Sequence, residues 1–206
     1  RFGLVLYDDD AAVGGTVRYV RPFGDKVTAS RLLGAWALRV GAARLDNEIA
    51  GSPVDPGWRL SLGASVGGDT RTFFFEPRFG TGWGASVGYN LTRFDGGEVR
   101  QRASLAAEAT RIVTPWDGHT LVGHVGGAIV AGDLDRPSQM LDAGGPEALR
   151  GWAPFWLLGR ARVLANAEYR VAFWHDLNQN WGHFIWVHGV GAAAFVDVGA
   201  VSSCAA

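Results

Sequence analysis

The sequence predicts an all-β protein, an antiparallel transmembrane β-barrel with one long loop folded inside it. Three observations carry that prediction. Apolar and polar residues alternate with period two over unusually long stretches. Glycine and tryptophan are abundant, at 30 and 9 of 206 residues, and Lys26 is the only lysine. The apolar face is rimmed by Trp, Tyr and Phe, while the polar face is Arg, Glu, Asn, Ser and Gly. A lipid-facing outside with aromatic girdles and a polar lumen has this composition. A soluble β-sandwich or lipocalin-like barrel also alternates, but its polar face is usually rich in Lys, Glu and Thr.

The alternation marks about ten segments: 2–7, 14–21, 31–41, 57–67, 71–79, 82–94, 99–112, 119–131, 157–173 and 182–200. Successive side chains of a strand point to opposite faces, so each segment splits in two. In 31–41, Leu32, Trp36, Leu38 and Val40 oppose Arg31 and Arg39. In 57–67, Trp58, Leu60, Leu62, Ala64 and Val66 oppose Arg59, Ser61, Gly63 and Ser65. In 82–94, Trp83, Ala85, Val87, Tyr89 and Leu91 oppose Gly84, Ser86, Gly88, Asn90 and Thr92. In 99–112, Ala103, Leu105, Ala107 and Ala109 oppose Arg102, Ser104, Glu108 and Thr110. In 157–173, Ala161, Val163, Ala165, Ala167, Tyr169, Val171 and Phe173 oppose Arg160, Arg162, Asn166, Glu168 and Arg170, with Leu164 and Ala172 as exceptions.

Several segments exceed the ~5–6 residues usual for soluble strands and reach the ~9–11 needed to cross a bilayer at a tilt. Gly67-Gly68-Asp69 and Asp95-Gly96-Gly97 read as short turns, and 42–56 and 132–154 as longer loops. Short turns at one end and long loops at the other are the outer-membrane layout. Trp58, Trp83, Tyr89, Phe94 and Trp116 fall where a girdle belongs. The chain reads as one barrel domain over 1–206, with 132–154 as its inserted loop.

Composition excludes several functions. A net charge of −1 offers no pull toward nucleic acid. The single cysteine, Cys204, makes no internal disulfide. The longest uncharged stretch, Phe184 to Val196, is too short and glycine-rich for a spanning helix, which needs ~20 apolar residues. Arg1 leads straight into strand-like sequence without a signal peptide, as expected of a cytosolic chain or a processed piece of an exported one.

Catalytic signatures are missing. The GxSxG strings at Gly63–Gly67 and Gly84–Gly88 lie inside alternating segments and so form no nucleophile turn, and His119, His124, His175, His183 and His188 read as packed or interfacial. His183 and His188 have the wrong spacing for metal ligands on one strand face. Gly14-Gly15, Gly126-Gly127 and Gly144-Gly145 join no strand to a helix, so they are not phosphate loops. Asp8-Asp9-Asp10 reads as a solvated turn. The expectation is a protein without catalytic chemistry, metal or cofactor.

One charge stands out. Arg150 lies in the apolar run GGPEALRGWAPFW of the long loop. Glu168 is on the polar face of the next strand, and Asp197 lies in the strand after that. A confined lumen disfavours unpaired carboxylates. A guanidinium fork on a loop folded inward suits both. The expectation is a structural latch of Arg150, Glu168 and Asp197.

These residues resemble the BamA, TamA and FhaC superfamily of outer-membrane insertases and two-partner-secretion transporters, also called the bacterial surface antigen family. Its signature loop carries Gly-Gly followed by (Val/Leu)-Arg-Gly-(Phe/Tyr), here Gly144, Gly145, Leu149, Arg150, Gly151 and Trp152. An Asn/Ser-x-Glu-(Tyr/Phe)-Arg element follows at Asn166 to Arg170, and Phe-x-Asp-x-Gly at Phe195 to Gly199. The resemblance implies that loop 132–154 enters the barrel and that Arg150 locks onto the wall near Asp197 and Glu168. It implies a bacterial outer-membrane location, with the lipid bilayer, client outer-membrane or secreted proteins, and other envelope proteins as partners. The implied function is assisted insertion or secretion of client chains; the alternative is a structural or pore-forming barrel serving as an anchor or scaffold. Members usually carry POTRA domains and sixteen strands, two of them after the Phe-x-Asp-x-Gly strand. With about ten strands and no POTRA domain visible, missing strands, a partner edge or a small closed barrel is expected.

Overall fold

The computed structural model describes residues 2–9, 12–23, 34–45, 56–71, 79–134, 139–146, 148–181 and 185–202, with backbone alone at 2–14, 23, 175–178, 180–181 and 185–188. It is all-β. The strands are β1 (Phe2–Asp9), β2 (Ala12–Phe23), β3 (Gly34–Leu45), β4 (Gly57–Asp69), β5 (Gly80–Phe94), β6 (Val99–Trp116), β7 (His119–Gly132), β8 (Leu141–Asp142), β9 (Leu158–Gly159), β10 (Ala161–Trp181) and β11 (Ile185–Ser202). Nine form one sheet in the order β1-β2-β3-β4-β5-β6-β7-β10-β11, and β8 pairs with β9 apart from it. Every neighbouring pair is antiparallel. No pairing joins β1 to β11 among the described residues, so the sheet is not closed.

The alternating sequence sorts cleanly onto two faces. The outer face exposes Leu38, Val40, Trp58, Leu60, Leu62, Val87, Leu105, Val125, Ile129, Val163, Val196 and Val198, each by more than two fifths. The inner face carries Arg39, Arg59, Asn90, Arg102, Asn166 and Glu168, and nearly all buried strand residues, such as Ala43, Leu45, Val130 and Leu164. One cavity of about 1020 Å³ is lined by Arg18 of β2 and Arg162 of β10 together. Six strand spacings in a flat sheet would separate those strands by about 29 Å. The sheet therefore curls around its inner face.

Four sequence expectations need correction. Among the described residues the sheet holds nine strands rather than about ten. The expected strand 71–79 lies mostly outside the described residues, but β4 pairs directly with β5 as far as Asp69 opposite Gly82, so no strand stands between them. Gly67-Gly68-Asp69 is ladder rather than turn. Long and short connections are also not segregated. The Asp95-Gly96-Gly97 turn leaves from the same end as the β3–β4 and β7–β10 connections, and Asp95 N donates to Pro56 O at 2.9 Å. Finally, Phe94 faces inward, 8% exposed, beneath the guanidinium of Arg100 at 5.6 Å. It follows Thr92 on the inner row, so parity excludes it from any outer girdle.

The outer aromatics gather mainly at the other end. Tyr19 packs edge-on to Trp36 at 5.4 Å, and Trp116, His119 and Tyr169 form a second cluster, with Trp83 exposed between. At the long-loop end Trp58, 60% exposed, lies under Arg44.

Candidate functional site

The chain leaves β7 at Gly132 and returns at β10, and the connection lies against the inner face. Its apolar contacts are few. Ala143, Ala148 and Leu149 of the loop bury Leu164 of β10, flanked by Leu157 and Val201. Leu164 breaks the alternation of its strand because it sits under the loop. Burying Leu149 and Leu164 contributes about 2 kcal/mol each. Gly199 on β11 makes room for both. A Cβ there would meet Leu164 Cδ2 at 2.7 Å and Leu149 Cδ2 at 3.2 Å.

The loop's own shape depends on close backbone approach. Gly145 has φ of +103°, and a Cβ on Gly144 would stand 2.2 Å from the Ala153 carbonyl oxygen. Asp142 holds the two limbs together, accepting from Gly144 N at 2.9 Å and Phe155 N at 2.7 Å. Arg162 of β10 donates to the Asp142 carbonyl. A turn at Leu149–Trp152, closed by Trp152 N to Leu149 O at 3.0 Å, thrusts Arg150 at the wall. Gly151, in that turn, meets nothing: a Cβ there would stand in open space. Trp152 is 48% exposed and tilts against Trp156 at 6.3 Å.

At the wall Arg150 is fully engaged. Its Nε and one terminal nitrogen donate to the two oxygens of Asp197 at 2.8 and 2.7 Å, a bidentate fork, and its backbone N–H adds a third bond at 3.1 Å. The other terminal nitrogen donates to Glu168 at 2.8 Å. The guanidinium lies 3.6 Å from the ring centre of Phe195. Glu168 also accepts from Arg170 at 2.5 Å. These residues meet because Glu168 stands opposite Phe195 in the β10–β11 ladder, and Asn166 opposite Asp197. Asp197 is only 7% exposed and Glu168 17%, so neither carboxylate has water enough to dispense with the arginine.

Asn166 completes the arrangement. Its amide nitrogen donates to Ala148 O at 3.0 Å and to Asp197 at 2.9 Å. Its oxygen then faces His124, whose Nδ1–H donates across 3.0 Å. Asn166, Phe195, Arg170 and Asp142 were not singled out as latch members from sequence. The first three had a usable signal, since each shares face parity with Glu168 or Asp197. Asp142 had none, because its role depends on the loop's tertiary path.

Other candidates resolve as follows. His119 Nδ1 and the Tyr169 hydroxyl share a 2.5 Å hydrogen bond on the outer face. The side chains of His175, His183, His188, Asp8 and Asp9, and all of Asp10 and Cys204, lie outside the described residues. Among the described residues no three His, Cys, Asp or Glu side chains cluster as metal ligands, and no helix is long and apolar enough to cross a membrane, which says nothing of a β-barrel. Chemically, the arrangement at Arg150 is a clamp: its carboxylates are satisfied by donors.

No family model matches this chain, and no curated protein matches it.

Proposed function

We propose that the chain is the β-barrel region of a bacterial outer-membrane protein of the insertase and translocator type, resembling the BamA, TamA and FhaC superfamily. It assists insertion or secretion of client polypeptides without catalytic chemistry. The observation that carries this reading is the latch: a long loop held on the polar inner face by Arg150 across Asp197 and Glu168.

The membrane part of the reading is supported by the uncovered outer face. Among the described residues no second layer covers its apolar side chains. Large contiguous apolar patches on soluble monomers are uncommon and mark interaction or membrane surfaces. On β4 the outer face is apolar from Trp58 to Val66, about 27 Å along the strand, close to the ~25 Å band of outer-membrane barrels before tilt. A soluble sandwich would turn this face inward.

The test is depletion of the full gene product in its host, followed by quantification of folded outer-membrane barrels and secreted proteins. Loss of either, restored by the wild-type gene but not by R150A, supports the reading. Unchanged clients with the protein found in an envelope complex would favour a passive scaffold. Recovery of the folded protein from the soluble fraction would overturn the membrane reading altogether.

A further inference from the structure

We propose that the inner wall of β2 to β6 is a binding site for a multiply charged, phosphate-bearing anion. Four arginines carry the proposal. Arg18 of β2 stands directly opposite Arg39 of β3. Arg59 of β4 stands opposite Thr92, and Arg102 of β6 opposite Asn90. All four share the inner face, and none has a carboxylate partner among the described residues. Arg102 Nε is buried without any hydrogen-bond acceptor. Like charges facing each other across adjacent strands are destabilising, and Arg18–Arg39 is such a pair; Arg59 and Arg102, two strands apart, add their charge to the same face.

Other arginines do hold carboxylates: Arg44 with Asp95, Arg71 with Asp69, Arg100 with Glu98, Arg150 with Asp197 and Glu168, and Arg170 with Glu168. On the inner faces of described β2 to β5 side chains the only acid is Asp69, already held by Arg71. Among the described strands the other inner-face acids are Glu108, farther along β6, and Glu168 and Asp197 on β10 and β11, both already engaged by Arg150. The inner face of β2 to β5 is therefore its cationic part, with Arg102 of β6 at the border.

The floor between the arginines is bare. Arg39 stands opposite Gly63, and Gly63 opposite Gly88. The Arg39 guanidinium lies over Gly63, 3.6 Å from where a Cβ would be. Ser61, Asn90 and Thr92 add neutral polar groups on neighbouring rows. From ladder spacing, the Cα atoms of Arg39, Arg59 and Arg102 lie within about 15 Å of one another, a gap that arginine side chains close onto one ligand. A guanidinium fork matches phosphate oxygens in pairs, and several forks favour an anion with more than one phosphate charge. A lipid headgroup and a soluble phosphate compound share that chemistry.

The test uses the full-length protein in neutral detergent, titrated with inorganic pyrophosphate by calorimetry, with phosphatidylglycerol-doped micelles as competitor. Saturable pyrophosphate binding, weakened about tenfold or more in R39A/R102A and unchanged in the outer-face variant R93A, supports the site. Competition by phosphatidylglycerol assigns a lipid headgroup; its absence assigns a soluble anion. R39K/R102K, retaining charge but losing the fork, keeps the comparison valid if the alanine variant misfolds, and it too binds more weakly than wild type. No saturable binding of either probe, or equal loss in R93A, overturns the proposal. It rests on inner-face geometry alone, so pyrophosphate binding without any client effect on depletion would preserve it while ending the translocator reading.

Discussion

Arg150 grips Asp197 with three donors, two from its guanidinium and one from its own backbone N–H. The backbone bond matters, because it orients the loop as well as the side chain. A lysine at this position would keep the backbone bond and a charge but could not present a fork to Asp197 while reaching Glu168.

R150A leaves Asp197 with Asn166 as its one remaining side-chain donor and Glu168 with Arg170. Removing one partner of a buried ion pair costs about 3 kcal/mol where some water still reaches the site. The loop should undock and proteinase K should cut within 133–160 far faster than in wild type. R150K should fall between the two. R100A, which removes the pair with Glu98 and the packing of Arg100 over Phe94, should leave the loop protected. Equal cutting in R100A and R150A would count against the latch.

Glycine substitutions separate packing from turn chemistry. G199V drives side-chain atoms into Leu164 and Leu149, both less than a tenth exposed, and overpacking of this kind costs about 1–3 kcal/mol. G151A places its methyl in open space and should change stability by less than about 0.5 kcal/mol. Chemical denaturation of the two variants in the same detergent gives the comparison; a G199V midpoint equal to that of G151A would remove the packing argument.

Neighbouring residues of β6 test the two faces. Leu105 points outward, 55% exposed, and Ser104 inward. In a bilayer L105R should cost about 2–4 kcal/mol near the midplane, while S104R should cost far less. Folding yields into lipid vesicles read the difference. If L105R folds as well as S104R, the outer face does not meet lipid.

A pH effect is expected at the Asp95 turn. Arg44 holds the Asp95 carboxylate below the usual carboxylate range through a side-chain fork with bonds of 2.8 and 2.5 Å. A depressed carboxylate stabilises above its unfolded pKa, and the contribution disappears as pH falls through the folded value. Amide exchange at Phe94 and Gly97, whose N–H groups close this turn, should therefore be slower in wild type than in D95N at neutral pH. The difference should vanish below the ordinary carboxylate range. A difference that persists there would assign the effect to something other than the ion pair.

Period-two alternation determined the all-β class and the face of almost every strand residue, because the direction of a side chain along a strand is a local property. The same parity put Arg150's two acids on one face before any register was known. Its limits are also physical. Segment 71–79 reads as a strand between 57–67 and 82–94, yet β4 and β5 pair directly with each other; pairing is a contest between distant segments that no window of sequence contains. Phe94 reads as a girdle aromatic until its row is counted from Thr92. Leu164 looks like a lapse in alternation until the loop lies on top of it. The arginine wall of Arg18, Arg39, Arg59 and Arg102 draws on four strands, and only the register brings the four together. Local chemistry determined which groups point inward; the tertiary structure decided which of them meet, because meeting depends on register, curvature and the path of the loop.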